Sequence, residues 1–478
     1  MKNNIKQKAE YCLNCKNPQC RTGCPLGNNI PAFIQKVKED NLEEAYKILC
    51  ETTVMPAICG KICPHQKQCQ GKCIRGIKSE PVSIGELEAY VGDWALSNTN
   101  RLLNYSENTQ EKNKKIAVIG GGPSGLTAAA FLRRKGYQVT IYEKQKNLGG
   151  ILKRGIPEFR LPNEIVEKTI EQILALGINV QCEKELGKNL ELADIEKEYD
   201  AIYLSIGANI PRTMAIEGEE LEGVYGGNAL LENANHPDYT NKKVAIIGGG
   251  NVAMDCARTI KRMGAKQVVV IYRRSETEMP AETKEIEDAK QEGVEFLFLN
   301  NIVKILGKDK VEQIECIKTE LVQKEGETRK SPINIENSNY IMNMDYVVMA
   351  VGGKIDKDTI EKCNIETTPR KYVQVNENNQ TSHEKVFAGG DVIGKNSTVA
   401  WAASDGRKVA NKIIEYLEEN EGCAECFPYE TIDKLKVGNF IFPTFMLSYH
   451  CYYLLKSNLL FCKYLSFARN FYLNQIYF

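Results

Sequence analysis

Two stretches of the chain are written in the same order, and they leave little freedom for the fold around them. Ile116-Ala-Val-Ile119 is an apolar run suited to a buried strand; Gly120, Gly122 and Gly125 follow, then a helix rich in alanine and leucine. Val244-Ala-Ile-Ile247 repeats the pattern, with Gly248, Gly250 and Ala253 after it. Strands that turn on glycine into helices, in series, predict an α/β fold with a parallel sheet and helices on both faces. No short-period repeat accompanies them, so one domain type is used twice. A length of 478 residues leaves room for two or three cores.

Each turn carries chemistry. The glycines let a pyrophosphate approach the backbone, and the following helix N-terminus stabilises its charge. In the first turn, Pro123 and Ser124 open the helix, and the next strand ends at Glu143, where a carboxylate can accept from ribose hydroxyls. In the second, Asn251 opens the helix and Val268–Tyr272 leads into Arg273 and Arg274. A carboxylate there would repel a 2′-phosphate. An arginine binds one through charge-assisted hydrogen bonds worth about 1.5–3 kcal/mol each, so this turn should prefer NADPH to NADH. The plain alternative is a solvated strand end.

A third piece, Val386-Phe-Ala-Gly-Gly-Asp391, precedes Ser397-Thr-Val-Ala-Trp401 and a helix. In flavoproteins with two dinucleotide units, a Gly-Asp here closes over the flavin ribityl chain. Gly390, Asp391 and Thr398 therefore join the first turn in an expected FAD site, with the NADPH domain inserted between the two parts of the FAD domain.

Nine of the seventeen cysteines fall before residue 74. Cys12, Cys15, Cys20 and Cys24-Pro25 form one set; Cys59, Cys63-Pro64, Cys69 and Cys73 form another. Thiolates on tight turns can hold compact clusters without a large core, and two four-cysteine sets, each with a Cys-Pro, predict two [4Fe-4S] clusters. Paired structural zinc sites would need Cys-x2-Cys hairpins, and within these two sets only Cys12 and Cys15 have that spacing. Cys50, Cys182, Cys256, Cys316 and Cys363 read as buried thiols. The four histidines leave little for Ser-His chemistry, and no dedicated catalytic acid or base is expected.

Helices are expected from Pro31, after Asn41, and from Ser83, which has capping-box spacing to Glu86. Zero net charge gives no field for nucleic acid or anionic lipid. Met1–Glu10 is polar and has no apolar run, so a secretory signal is not expected and a cytoplasmic location is. The stretch 439–455 is uncharged but contains Pro443; no membrane helix and no function are expected there, and Cys423-x2-Cys426 lacks the context of a redox motif. The expected domains are a mainly α-helical double-cluster domain with its linker at 1–110, the FAD domain at 111–227 and 371–420, the NADPH domain at 228–370, and an extension at 421–478.

From about residue 8 to 418 the chain resembles the small subunit of NADPH-dependent glutamate synthase. Its relatives include the large subunit of the NADH-dependent ferredoxin:NADP oxidoreductase and the N-terminal half of dihydropyrimidine dehydrogenase. The cysteine sets, Ala57-Ile-Cys-Gly, Pro81-Val-Ser-Ile-Gly, both glycine turns, Gly155-Ile-Pro-Glu-Phe-Arg-Leu-Pro162 and Glu278-Met-Pro-Ala281 carry the likeness. It implies that Cys12, Cys15, Cys20 and Cys73 bind one cluster and that Cys24, Cys63, Cys69 and Glu88 bind the other, leaving Cys59 outside both. It also implies that Gly150, Arg160 and the Gly155–Pro162 segment lie at the flavin. Hydride passes from NADPH to the flavin, and electrons leave singly through the clusters to a partner. That partner is a large glutamate synthase subunit or another electron-accepting redox subunit, as in a ferredoxin-linked transhydrogenase. A zinc-stabilised scaffold without activity is the competing class.

Overall fold

The computed structural model describes residues 2–102, 110–232, 235–323, 330–395 and 397–426. The chain divides into Met1–Leu417 and Glu418–Phe478, and the first unit is described below. The stretch 439–455 lies outside the described residues, as do the side chains of Cys423 and Cys426.

Six helices build the N-terminal region: Lys2–Glu10 (α1), Gln19–Gly23 (α2), Ile30–Lys38 (α3), Leu42–Cys50 (α4), Pro56–Ile62 (α5) and Ile84–Asn98 (α6). Pro31 sits in the first turn of α3, and the Asn41 side chain caps α4 by accepting from the Glu44 amide. Ser83 precedes α6 without a side-chain cap, so the expected capping box does not form; the Glu86 carboxylate pairs instead with Lys8 of α1. Where α5 crosses α6 the backbones touch. A Cβ on Gly60 would lie 2.2 Å from the Ala89 nitrogen, and one on Gly92 would lie 2.3 Å from the Ala57 nitrogen. Only a seam of glycine and alanine allows that approach.

Strands Lys115–Ile119 (β1), Gln138–Glu143 (β2), Asn179–Cys182 (β3) and Ala201–Leu204 (β4) begin a parallel sheet, with helix Pro123–Arg133 (α7) after β1. The chain then leaves this sheet and builds a second from Val224–Gly226 (β5), Lys243–Ile247 (β6), Gln267–Tyr272 (β7), Glu295–Phe298 (β8) and Tyr346–Met349 (β9), with helices Asn251–Arg262 (α8) and Thr283–Gln291 (α9). It returns to the first sheet as Val386–Ala388 (β10), followed by helix Val399–Cys426 (α10). The orders are β10-β4-β1-β2-β3 and β5-β9-β6-β7-β8. The unit built on this second sheet is inserted in the unit built on the first sheet. A two-residue ladder between Ile210–Pro211 and Gly353–Lys354 marks the crossing; Ile355, Ile360 and Ile365 already pack with the first sheet, and Met214 and Leu221 with the second. These crossings fall earlier than the boundaries 227 and 370 read from turn residues.

Alternation along β1 sends Ile116 and Val118 to one core and Ala117 and Ile119 to another. The first of these cores is shared: it runs from Ala9 and Phe33 through Leu126 and Ile173 to Ile413, so the cysteine-bearing region and the first sheet's unit bury their apolar faces in each other. The Tyr46 hydroxyl donates to Gln172, whose amide donates to the Ala95 and Thr99 carbonyls. The second sheet departs from expectation on one face. Val244 and Ile246 meet the α8 helix, but Ala245 and Ile247 meet Ile302, Ile314 and Cys316 from an antiparallel sheet spanning 300–343. Long alternating strands close that face where a helix was expected.

Candidate functional site

At the end of β1 the backbone takes φ +105° at Gly120, where a Cβ would lie 2.5 Å from the Ser205 carbonyl oxygen. Glycine alone fits there. A Cβ on Gly125 would lie 1.9 Å from the Gly120 oxygen, so α7 is seated directly on the turn. Glu143 is buried at the tip of β2, where its carboxylate accepts from the Gly121 amide at 2.8 Å and the Gln145 amide at 2.9 Å. Ser124 and Tyr203 hydroxyls are 2.7 Å apart below the turn.

A cavity of about 250 Å³ opens above. Gly120, Gly122, Pro123 and Ser124 border it from the turn, Glu143 and Gly150 from its neighbours, and Gly390, Asp391 and Thr398 from the returning segment. Gly125 does not border it; it lies beneath, in the helix seat. Asp391 Oδ1 is buried without a partner, and burial, reinforced by Asp405, pushes that carboxyl up to about 6. An acceptor left bare in a polar cradle fits a ligand hydroxyl such as that of the ribityl chain.

The second turn repeats the first: Gly248 has φ +140°, and a Cβ there would lie 2.3 Å from the Ala350 oxygen. Gly250 precedes α8, Asn251 Oδ1 accepts from the Glu282 amide at 3.0 Å, and Ala253 is fully buried. Beyond β7, Arg273 is exposed while Arg274 is half-buried with Nη1 lacking a partner. Thr319 donates to the Arg273 carbonyl and the Leu299 amide to that of Arg274, so the antiparallel sheet holds the pair in place. An unmatched guanidinium nitrogen at this strand end suits an anionic phosphate.

Asn251, Val252 and Asp255 of α8 also border the first cavity, so the two turns face one space. Sequence reading missed the device that holds them. Arg160 borders the cavity too, but its guanidinium is engaged by the second unit: Nη1 lies 2.7 Å from both Asp255 oxygens and Nε lies 3.1 Å from Glu285. Phe159 beside it lies under Arg262, 3.9 Å from ring centre to guanidinium carbon. Asp255 and Arg262 are seven residues apart, one helical face, which is the signal that could have exposed the clamp.

Cys12, Cys15, Cys20 and Cys73 line one small cavity with Ile30, Ile34 and Ile84. Burial, then the neighbouring Cys73 and Cys12, pushes the Cys20 thiol up to about 11. A second group lies deeper. Cys24 is pushed up to about 11 by burial and then by Glu88; Cys69 is raised by the same two causes, and Cys63 by its hydrogen bond with Cys59 and by burial. Glu88 is 5% exposed, hydrogen-bonded by Asn28 Nδ2 at 3.1 Å, and burial lifts its carboxyl to about 8. Cys59 belongs to this group in space. Among the described residues no three side chains converge as ligands of one metal ion would; a cubane instead takes thiolates distributed around several irons. Acids that raise one another's pKa make a pocket short of positive charge, which fits a metal cluster.

Ile62 and Pro64, on either side of Cys63, border the flavin-site cavity. On the far side, Ser404 and Arg407 of α10 donate to the carbonyls of Pro25 and Leu26, next to Cys24. The inner cysteine group is thus wedged against the dinucleotide unit.

Comparison with known proteins agrees with this arrangement. Residues 114–406 match the Pyridine nucleotide-disulphide oxidoreductase family, and residues 1–100 match Dihydropyrimidine dehydrogenase domain II, 4Fe-4S cluster. FprA from Mycobacterium tuberculosis, solved in complex with NADPH, shares the fold at a TM-score of 0.57 and 20% identity, over 66% of this chain and 87% of that one. The chain is therefore an NADPH-dependent oxidoreductase that carries FAD and [4Fe-4S] clusters and transfers electrons. More narrowly, it belongs to the glutamate synthase small-chain family: it is 32% identical over 435 residues to the "Glutamate synthase [NADPH] small chain" of Escherichia coli, covering 86% of this chain and 91% of that. The "NADP(+)-dependent formate dehydrogenase subunit beta" of Moorella thermoacetica is 34% identical over 84% of this chain but only 60% of its own. Among the described residues no helix is long and apolar enough to cross a membrane.

Proposed function

We propose that this chain is the NADPH-oxidising subunit of a cytoplasmic glutamate synthase, delivering electrons to a large chain that makes L-glutamate from L-glutamine and 2-oxoglutarate. The observation that carries the electron-transfer reading is the Cys63 loop, whose Ile62 and Pro64 border the flavin-site cavity. The match over nine-tenths of the Escherichia coli small chain favours glutamate synthase.

Bound FAD supplies the chemistry, accepting hydride and releasing electrons singly. The chain's residues position it. The α7 N-terminus and Gly120–Ser124 hold its pyrophosphate, Glu143 its ribose, and Asp391 its ribityl hydroxyls. Arg273 and Arg274 select the 2′-phosphate of NADPH. Arg160 and Asp255 keep the α8 turn, which would hold NADPH, facing the same cavity. Cys24, Cys63, Cys69 and Glu88 hold the inner cluster; Cys12, Cys15, Cys20 and Cys73 hold the outer. No side chain need donate or remove a proton during hydride transfer.

The test is anaerobic reconstitution with the large chain of the same organism. NADPH-dependent glutamate formation from glutamine and 2-oxoglutarate is the expected result; NADPH oxidation that proceeds only with ferredoxin and NAD together would overturn the assignment. Replacing Arg273 and Arg274 by alanine should raise KM for NADPH about ten- to hundredfold while leaving that for NADH nearly unchanged. Equal effects on both would remove the arginine assignment.

A further inference from the structure

Three of the large apolar side chains left exposed among the described residues stand on the loops of the outer cysteine group. Leu13 is 55% exposed, Ile74 51% and Ile77 76%. Leu13 and Ile74 line the same cavity as the four outer cysteines, and Ile77 ends the helical turn Ile74–Ile77 that follows Cys73. This turn is rigidly held: Arg75 lies 4.1 Å over the Tyr11 ring and donates to the Tyr11 carbonyl, while the Tyr11 hydroxyl reaches Ser79. Exposed apolar groups on a braced surface mark a place where another surface sits.

Charge says what kind. Residues 11–27 and 60–79 contain seven lysines and arginines and no aspartate or glutamate. Within them Lys61 is paired with Asp93, Lys67 donates to the carbonyls of Met279, Pro280 and Ala281, and Arg75 is held by Tyr11. Lys16, Arg21, Lys72 and Lys78 are exposed and have no acidic partner among the described residues. Glu10 and Glu80 stand only at its edge.

We infer that Leu13, Ile74 and Ile77, ringed by these four cations, form the docking face for an electron-accepting redox protein that presents an apolar centre within an acidic rim. This rests on the reading above that electrons leave through the clusters to a partner. The inner group abuts the flavin-site cavity and the outer group abuts this face, so the apolar contact excludes water at the shortest exit while the cations steer an acidic partner to it. A second copy of this chain would bring an equal set of cations and is disfavoured.

The test uses the full chain loaded with FAD and clusters. Two one-electron haem probes are compared under NADPH at low salt: the acidic soluble domain of cytochrome b5 and the basic cytochrome c. Wild type should favour the acidic probe, with a rate that falls as salt is added. The triple variant Lys16→Glu, Lys72→Glu and Lys78→Glu should shift the ratio of the two rates toward cytochrome c by about tenfold or more, while NADPH reduction of the flavin and the cluster EPR signals stay unchanged. Should that variant lose its clusters, the milder lysine-to-glutamine triple is read instead. An unchanged ratio in a variant with intact clusters, or a chain that dimerises through Leu13, Ile74 and Ile77, overturns the inference. Replacing those three by serine should weaken association with the large chain and leave reduction of menadione intact. If wild type does not join the large chain at all, the glutamate synthase assignment fails, while the probe ratio still judges the face.

Discussion

The inner and outer cysteine groups lie in opposite surroundings. The inner one includes the fully enclosed Cys59, the buried Cys69 and a carboxylate, Glu88, and the neighbours of its Cys63, Ile62 and Pro64, border the cavity above the first glycine turn. The outer one is half-buried under exposed Leu13 and Ile74. The difference teaches that the thiols of each set alone do not define a cluster's role; on the proposed reading, burial and charge around them suit the inner one to receive electrons and the outer one to deliver them.

The comparison can be broken most severely at Cys63. Cys63→Ser should remove about half the iron and nearly all electron delivery to any acceptor beyond the flavin, while NADPH still bleaches the flavin band in stopped flow. Retention of full iron content would sink the inner ligand set. Cys20→Ser should cost a similar share of iron but leave the inner cluster reducible by NADPH, which EPR detects directly; loss of both signals together would erase the distinction between groups. Glu88→Gln is subtler. Glu88 is proposed as an anionic ligand of the inner cluster, so a neutral amide in its place should raise the reduction potential of that cluster and leave the outer one where it was, as read by redox titration. The smallest effect is structural: Gly92→Val forces α6 off α5, which should lower stability by about 1–3 kcal/mol in denaturant melts and loosen the inner cluster before the outer one.

The glycine turns, Glu143 and the arginine pair were legible because each is a local pattern, whereas spacing groups Cys24 with Cys12 and Cys73 with Cys63, and the fold exchanges the two. Other features were not, because they join residues distant in sequence. Arg160 and Asp255 meet across 95 positions, and nothing local to either announces the pair. Gly60 and Gly92 look like ordinary helix interruptions until α5 and α6 are crossed. Glu86 has the spacing of a capping box, yet a lysine from another helix claims it, an instance of tertiary contact overriding local propensity. Spacing counts Cys59 with the second cysteine set and the resemblance leaves it outside both clusters; folding places it against Cys63.

The shared core beneath α4, α6, α7 and α10 leaves no joint between the cluster region and the flavin unit. Oxidative attack on an iron centre is therefore not a local injury. A cluster lost to oxygen takes away the cations that hold a dense group of acids together, and Ser404 and Arg407, which donate to the Pro25 and Leu26 carbonyls beside Cys24, tie that site to the helix beside the cavity. Exposure to air should release flavin as well as iron, and an aged preparation would fade in both colours together.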